Sequence, residues 1–364
     1  MEINEVLVIH GDDPAAMTVR IAEAAGLAGL IGDRQKRIGL KPNLVVSRPA
    51  SGGATTHPEI AAGLIAYLKK NGFDNIVILE GSWTGDSTSR AFRECGYTAI
   101  SRETGVKLID TQTDSAKKYN CKGMELEICD SAMELDFMIN LPVLKGHCQT
   151  SLTCALKNNK GIIPDREKRR YHSLGIHKPV AHLNTMVRND FIIVDGICGD
   201  PDFEEGGNPI YGGRIFAARD PVLCDAWAAL QLGLSVSRIP YIGLAEKLGI
   251  GSADLKKAVV KTLSAPPESP GIPSRAGGKV SRLAPHINED EACSACYAAL
   301  VSALLRMSRR ELEKLGGPLA IGQGFKGKKG KMGMGNCCSG FTRFCPGCPP
   351  SGAEILDFLI NNTF

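Results

Sequence analysis

Hydrophobic positions gather in short β-branched runs, and the stretches between them carry apolar residues at helical spacing. The runs at 6–10, 37–46, 75–79, 106–110, 138–143 and 191–196 read as strands. Segments 14–30, 58–70 and 87–95 read as helices. Pro14 and Pro58 suit a first helical turn, and Asn71-Gly72 ends the second helix. The run GGRIFAARDPVLCDAWAALQLG reads as strand, turn and helix, with Asp220-Pro221 as cap and first turn. This alternation predicts an α/β fold, mainly parallel sheets flanked by helices. In such sheets ligands collect beyond the C-terminal ends of the strands. The loops after KPNLV, NIVIL and INLPV therefore draw attention.

Segment 264–285 (SAPPESPGIPSRAGGKVSRLAP) is rich in Pro, Gly and Ser and reads as a linker. It divides α/β material at 1–263 from a small cysteine-rich region at 286–364. Beyond the linker, 293–307 and 353–361 read as helices and 318–322 as a short strand. No internal repeat is visible. GQGFKGKKGKMGMG lacks the spacing of a phosphate loop and reads as a flexible basic loop.

Composition narrows the classes. The chain has 364 residues, 43% of them hydrophobic and 23% charged, enough for two ordinary globular domains. A net charge of +4 is too small for a dedicated nucleic-acid binder but allows a locally basic pocket. The start MEINEVLVIHGDDP does not resemble a signal peptide, and no run of about 18 apolar residues suggests a membrane span. Thirteen cysteines without such a signal point to the reducing cytoplasm, as core residues or metal ligands.

Six cysteines fall in the C-terminal quarter: Cys293, Cys296, Cys337, Cys338, Cys345 and Cys348. Two pairs have the C-x-x-C spacing that aims two sulfurs at one centre. Thiolates suit an iron–sulfur cluster or zinc. CPGCPP is similar to the GCPP signature of the small subunit of NADH:quinone oxidoreductase, which favours a [4Fe-4S] cluster over zinc. One cubane needs four thiolates. Cys293, Cys296, Cys337 and Cys348 are the expected ligands, with Cys338 and Cys345 as alternates.

A second concentration of chemistry lies at 139–183, with Lys145, His147, Lys157, Lys160, Arg166, Lys168, Arg169, Arg170, His172, His177 and His182. Cations beside a strand end suit a carboxylate or phosphate. On one helix, His147, Thr150, Cys154 and Lys157 would share an arc, but His147 and Lys157 would stand about 15 Å apart. Either the helix begins after His147 and the loop curls back, or the two groups hold different parts of a ligand. Arg166 to Arg170 read equally as a solvated helix end. The acidic loop at 199–208 and the loop bearing Glu80, Trp83 and Asp86 also leave strand ends. His57 reads as the entry to the helix at Pro58, and the dispersed cysteines as core residues.

Together, KPNLV (41–45), THPE (56–59), LPVLKGH (141–147), TCALKNNKG (153–161), IVDG (193–196) and the cysteines with GCPP resemble domain-of-unknown-function family 362. The resemblance implies an association with iron–sulfur clusters and names no reaction. His147, Lys157 and Gly161 also look like a pattern in the N-terminal domain of lactate racemase. EGSW follows NIVIL where that pattern carries a histidine, so no nickel site is expected.

These readings converge on a cytoplasmic iron–sulfur enzyme, an oxidoreductase or lyase acting on a small anionic metabolite. Lys145, His147 and Lys157 would bind or polarise the anion, and His147 or His182 would move protons. Four committed thiolates suit electron relay to a redox partner protein. The alternatives are a non-catalytic electron-transfer or redox-responsive binding protein, or a structural zinc protein.

Overall fold

The computed structural model describes residues 1–201, 203–264, 283–292 and 294–363. The chain divides into two compact units: 1–146 with 150–273, and 147–149 with 274–364. The expected linker at 264–285 lies almost wholly outside the described residues, as does Cys293.

The first unit is built on an eight-stranded sheet. In chain order its strands are β1 (Glu5–His10), β2 (Ile38–Pro42), β3 (Ile76–Glu80), β4 (Lys107–Asp110), β7 (Phe137–Leu141), β10 (Phe191–Gly199), β11 (Ile210–Ala218) and β12 (Val259–Thr262). A hairpin of β5 (Ala116–Cys121) and β6 (Met124–Cys129) and a small pair of β8 (Lys145–His147) and β9 (Ser151–Thr153) complete the numbering. Across the main sheet the order is β12-β1-β11-β10-β7-β2-β3-β4. Only β11 runs against its neighbours.

Alternation along the strands feeds two cores. Val6 and Val8, Val77 and Leu79, and Ile192 and Val194 face one side. Leu7 and Ile9, Ile76 and Ile78, and Ile193 face the other. Helices cover both faces, so the central strands are apolar throughout rather than alternating with polar residues. Asp13 caps the helix Pro14–Ala25 by accepting from Ala16 N at 3.0 Å. Gly26, at φ 64°, then closes that helix and opens Leu27–Ile31, so the stretch expected as one helix at 14–30 is two. Asp220 caps Pro221–Gln231 by accepting from Val222 N and Leu223 N.

Three points go beyond the sequence reading. Of the arrangements open for His147 to Lys157, the structure has the one in which the helix begins after His147. Lys145–His147 is a strand, a turn and β9 follow, and the helix is confined to Ala155–Asn158. The β5–β6 hairpin was not anticipated. It turns through Lys122 (φ 47°) and Gly123 (φ 89°), a pair in the left-handed region that suits a tight two-residue turn. The third point lies in the second unit.

That unit holds four parallel three-residue strands: β13 (Ile287–Glu289), β14 (Leu319–Ile321), β15 (Met332–Met334) and β16 (Arg343–Cys345). Strands β14 and β15 each pass through a glycine into a short 3-10 turn, Gln323–Phe325 and Asn336–Cys338. LAIGQGF and MGMGNCC are thus two copies of one strand–glycine–turn unit. The expected flexible basic loop is part of this repeat. Helices Ser294–Leu304 and Gly352–Thr363 pack together. A Cβ on Gly352 would lie only 3.2 Å from Ala299 O, which shows how closely their backbones approach.

Candidate functional site

Strands β2, β3 and β7 end side by side, and each carries a polar residue at or next to its end: Lys41, Glu80 and Asn140. Lys41 on β2 reaches Glu80 on β3, Nζ to Oε2 2.8 Å, and both are almost fully buried. Glu80 also accepts from Leu44 N at 3.0 Å and Gly81 N at 2.7 Å, so its charge is well satisfied. Burial pulls the Lys41 amine down, against the opposing pull of Glu80. Gly161 passes directly over this pair. A Cβ there would collide with Glu80 Oε1 and Lys41 Nζ.

Buried asparagines tie the strand ends to the helix Ala155–Asn158. Asn158 Nδ2 donates to Asn140 Oδ1 at 2.7 Å and to Lys41 O at 3.1 Å, and its Oδ1 accepts from Asn43 Nδ2 at 3.0 Å. Asn140 donates onward to Ala155 O and Asn189 Oδ1, each at 2.9 Å. Asn159 and Asn189 both donate to Asn184 Oδ1, at 2.8 and 2.9 Å. A satisfied buried polar network of this kind fixes one arrangement of its members.

Asp225 anchors the start of the same helix, accepting from Ala155 N at 2.7 Å and Leu156 N at 3.3 Å. Burial pushes its carboxyl up to about 7. Cys154 Sγ, Cys224 Sγ and an Asp225 oxygen lie within 4.8 Å of one another, all buried. Both Asp225 oxygens already serve as the helix cap, so the trio reads as packing around a cap.

The basic residues gather above this scaffold. Lys145 Nζ donates to Asn43 Oδ1 at 3.1 Å, to Ala54 O, and to Glu204 O at 2.8 Å. Lys157 Nζ meets Glu204 Oε2 at 3.0 Å and Thr153 Oγ1 at 3.2 Å. Burial pulls Lys145 down to about 7, although Glu204 opposes it. Lys160 is also drawn down to about 7, by burial and then by the charge of Lys157. Lys168 Nζ is held by Ser82 O at 2.7 Å and Asp165 Oδ1 at 3.0 Å.

Lys145 and Lys157 thus share Glu204, a residue of the loop at 199–208. His147 is buried in the segment 147–149 that groups with the second unit, and its Nδ1 accepts from Gln149 N at 3.0 Å. His182 Nδ1 lies 2.8 Å from Cys121 O, on the β5–β6 hairpin. Arg166 and Arg170 pair with Glu127 and Glu167.

One pair escaped the sequence reading. His57 Nδ1 lies 2.8 Å from Asp195 Oδ2, which also accepts from His57 N at 2.8 Å. Burial lowers the imidazole, but the hydrogen bond and charge of Asp195 outweigh it and the net shift is upward. The available signal was IVDG, an acid inside an apolar strand.

In the second unit, loops at 335–338 and 345–350 are stitched together. Gly335 N donates to Cys345 O at 2.8 Å, Asn336 N to Gly347 O at 2.9 Å, and Gly347 N to Asn336 Oδ1 at 2.8 Å. A Cβ on Gly335 would lie 3.6 Å from Cys296 Sγ and 3.8 Å from Pro350 Cδ. Cys296 therefore lies beside both loops that carry Cys337 and Cys348. Cys348 is exposed and Cys337 half-buried. Cys338 and Cys345 are buried, and Cys338 Sγ contacts Ala320 O at 3.5 Å. Cys338, Cys345 and Cys348 form no disulfide.

Comparison with known proteins adds three likenesses. The family described as "Domain of unknown function (DUF362)" matches residues 38–230. The thylakoid-associated protein sll1697 of Synechocystis is 25% identical over 227 residues, covering 59% of this chain and 68% of that protein. The lactate racemase apoprotein of Thermoanaerobacterium thermosaccharolyticum superposes with a TM-score of 0.38 and 13% identity, over 58% of this chain and 54% of the racemase. No helix among the described residues is long and apolar enough to cross a membrane.

Proposed function

The chain belongs to domain-of-unknown-function family 362, and from that premise we propose an iron–sulfur enzyme whose first unit binds a small carboxylate. The observation that carries the reading is the company of Lys145, Lys157 and Lys160 at one strand-end site. Glu204 is the one carboxylate in direct ion contact with any of the three among the described residues. Ammonium groups removed from water need counter-charge, and an incoming carboxylate can exchange for the Glu204 carboxylate at Lys157. Lys157 would hold that anion, with Lys145 beside it. The Glu204 carboxylate now on Lys157 stands where a substrate carboxylate would lie.

We read the second unit as a cluster site rather than a zinc site. Four thiolates around zinc, at about 2.3 Å each, stand about 3.8 Å from one another. Cys296, Cys337 and Cys348 do not form a group that tight among the described residues. A cubane is larger and needs its sulfurs farther apart. Cys296, Cys337 and Cys348 would hold it, with Cys293 as the fourth ligand. When bound, the cluster supplies one-electron transfer. The residues of the first unit bind and orient the anion, and the asparagine network keeps Lys157 in place.

The test is calorimetric titration of the anaerobically purified protein with small 2-hydroxy and 2-oxo carboxylates. Binding is expected for the wild type and a loss of at least tenfold for Lys157→Ala. If Lys157→Ala binds as tightly as the wild type, the site assignment is wrong. If no carboxylate binds and the protein only exchanges electrons with a partner, it is an electron carrier.

A further inference from the structure

Five lysines meet around the ends of β2 and β3 and the turn Asn159–Ile162, and four are fully engaged. Lys41 has Glu80 and Pro42 O. Lys145 has Asn43, Ala54 O and Glu204 O. Lys157 has Thr153 and Glu204. Lys168 has Gly81 O, Ser82 O and Asp165. Their exposures are 0%, 1%, 7% and 5%.

Lys160 differs twice. Among the described residues its Nζ has no hydrogen-bond acceptor and no carboxylate partner, and it lies over the Tyr171 ring, 6.0 Å from the centroid. Its residue is also partly exposed, where the other four are buried. Its backbone is firmly held. Asn159 donates to Asn184 and Asn189 at 2.8 and 3.1 Å, and Thr111 Oγ1 donates to Gly161 O at 2.6 Å. An amine with no hydrogen-bond acceptor among the described residues, on a rigid turn and beside Lys157, is arranged as a nucleophile rather than as a salt-bridge partner.

We propose that Lys160 is the covalent catalytic residue of this site, forming an imine with the carbonyl of a small 2-oxo carboxylate whose carboxylate rests on Lys157. This rests on the carboxylate-binding reading above and names the substrate class within it. The Nζ lone pair attacks the carbonyl carbon, and the C=O π electrons pass to oxygen. One amine proton passes to that oxygen to give the carbinolamine. Its nitrogen lone pair then forms the C=N bond and expels the hydroxyl, which takes a proton from solvent and leaves as water. The second amine proton stays on the imine nitrogen. Nothing is oxidised or reduced. The protonated imine then withdraws electrons from the adjacent carbon, which suits bond cleavage there and favours a lyase over a simple carrier. Burial and the Lys157 charge, which bring the amine to about 7, leave much of it neutral at physiological pH.

The experiment uses the full chain, purified without oxygen, incubated with pyruvate, 2-oxobutyrate or 2-oxoglutarate and reduced with sodium cyanoborohydride. Hydride adds to the imine carbon and leaves a stable secondary amine, which peptide mass spectrometry maps. The expected result is labelling of Lys160 at least tenfold above every other lysine, lost in Lys160→Arg and reduced at least tenfold in Lys157→Ala. Lactate, which has no keto group, should bind the wild type by calorimetry and leave no label on Lys160. Labelling spread evenly over surface lysines, or none at Lys160 while lactate binds normally, overturns the imine and leaves the carboxylate site standing. Absence of binding by both lactate and the 2-oxo acids overturns both. Site mapping on the wild type needs no variant to fold.

Discussion

Lys41 and Glu80 are buried together, and each is tolerated there only because of the other. Removing one partner leaves an uncompensated buried charge, which typically costs about 3–5 kcal/mol. Glu80→Ala is therefore expected to lose stability of that order in urea unfolding at neutral pH. His57 gives a pH signature. Its pKa is raised in the folded protein, so the Asp195 bond contributes its full stability below the unfolded value of about 6.5. That contribution fades as pH rises through the folded pKa. The stability gap between wild type and His57→Gln should therefore be widest in mild acid and narrow toward alkaline pH. A gap independent of pH would show that the imidazole is not charged in the pair. The pair was hard to read in the sequence because its members lie far apart in the chain and meet only when β10 is placed beside the loop after β2.

At the scale of elements, the helix Ala155–Asn158 has too few residues to sustain itself. It stands because Asp225 caps one end and asparagines hold the other. Asp225→Ala should cost about 0.5–2 kcal/mol in unfolding. It should also weaken carboxylate binding about tenfold, equivalent to about 1.4 kcal/mol, because Lys157 loses its platform. Cysteine variants separate ligands from packing in the second unit. Cys337→Ser and Cys348→Ser should abolish the visible absorption and iron content of anaerobic preparations. Cys338→Ser should retain both and melt at lower temperature. Equal iron in all three would reject the ligand set.

Most elements of the first unit were legible because their cue is local. Strands 75–79 and 191–196 are built on the apolar runs 76–79 and 191–194, and Pro58 to Asn71-Gly72 brackets a helix by chemistry alone. The reversal of β11 was not legible, since strand direction is set by partners. The His147 to Lys157 stretch stayed open because its spacing also fits a helix, whereas Ser151, at φ 61°, interrupts one. The repeat in the second unit was hidden by glycine, which carries the turn geometry but no hydrophobic signal. The lysine site was half visible. Lys145 and Lys157 stood out by charge beside a strand, but Glu204 sits in a loop that nothing in its sequence aims at them.

For the whole molecule, the two units carry separable chemistry: cations at strand ends in one, thiols beside stitched loops in the other. Either unit can be altered by substitution and the other still assayed. The most direct measurement of the central claim is a crystal structure of the anaerobically purified protein grown with a saturating small 2-hydroxy carboxylate. The account predicts the ligand carboxylate within hydrogen-bonding distance of Lys157 Nζ, with the Glu204 carboxylate displaced from it. A structure in which Glu204 still occupies Lys157 and the ligand is bound elsewhere, or not at all, would contradict it.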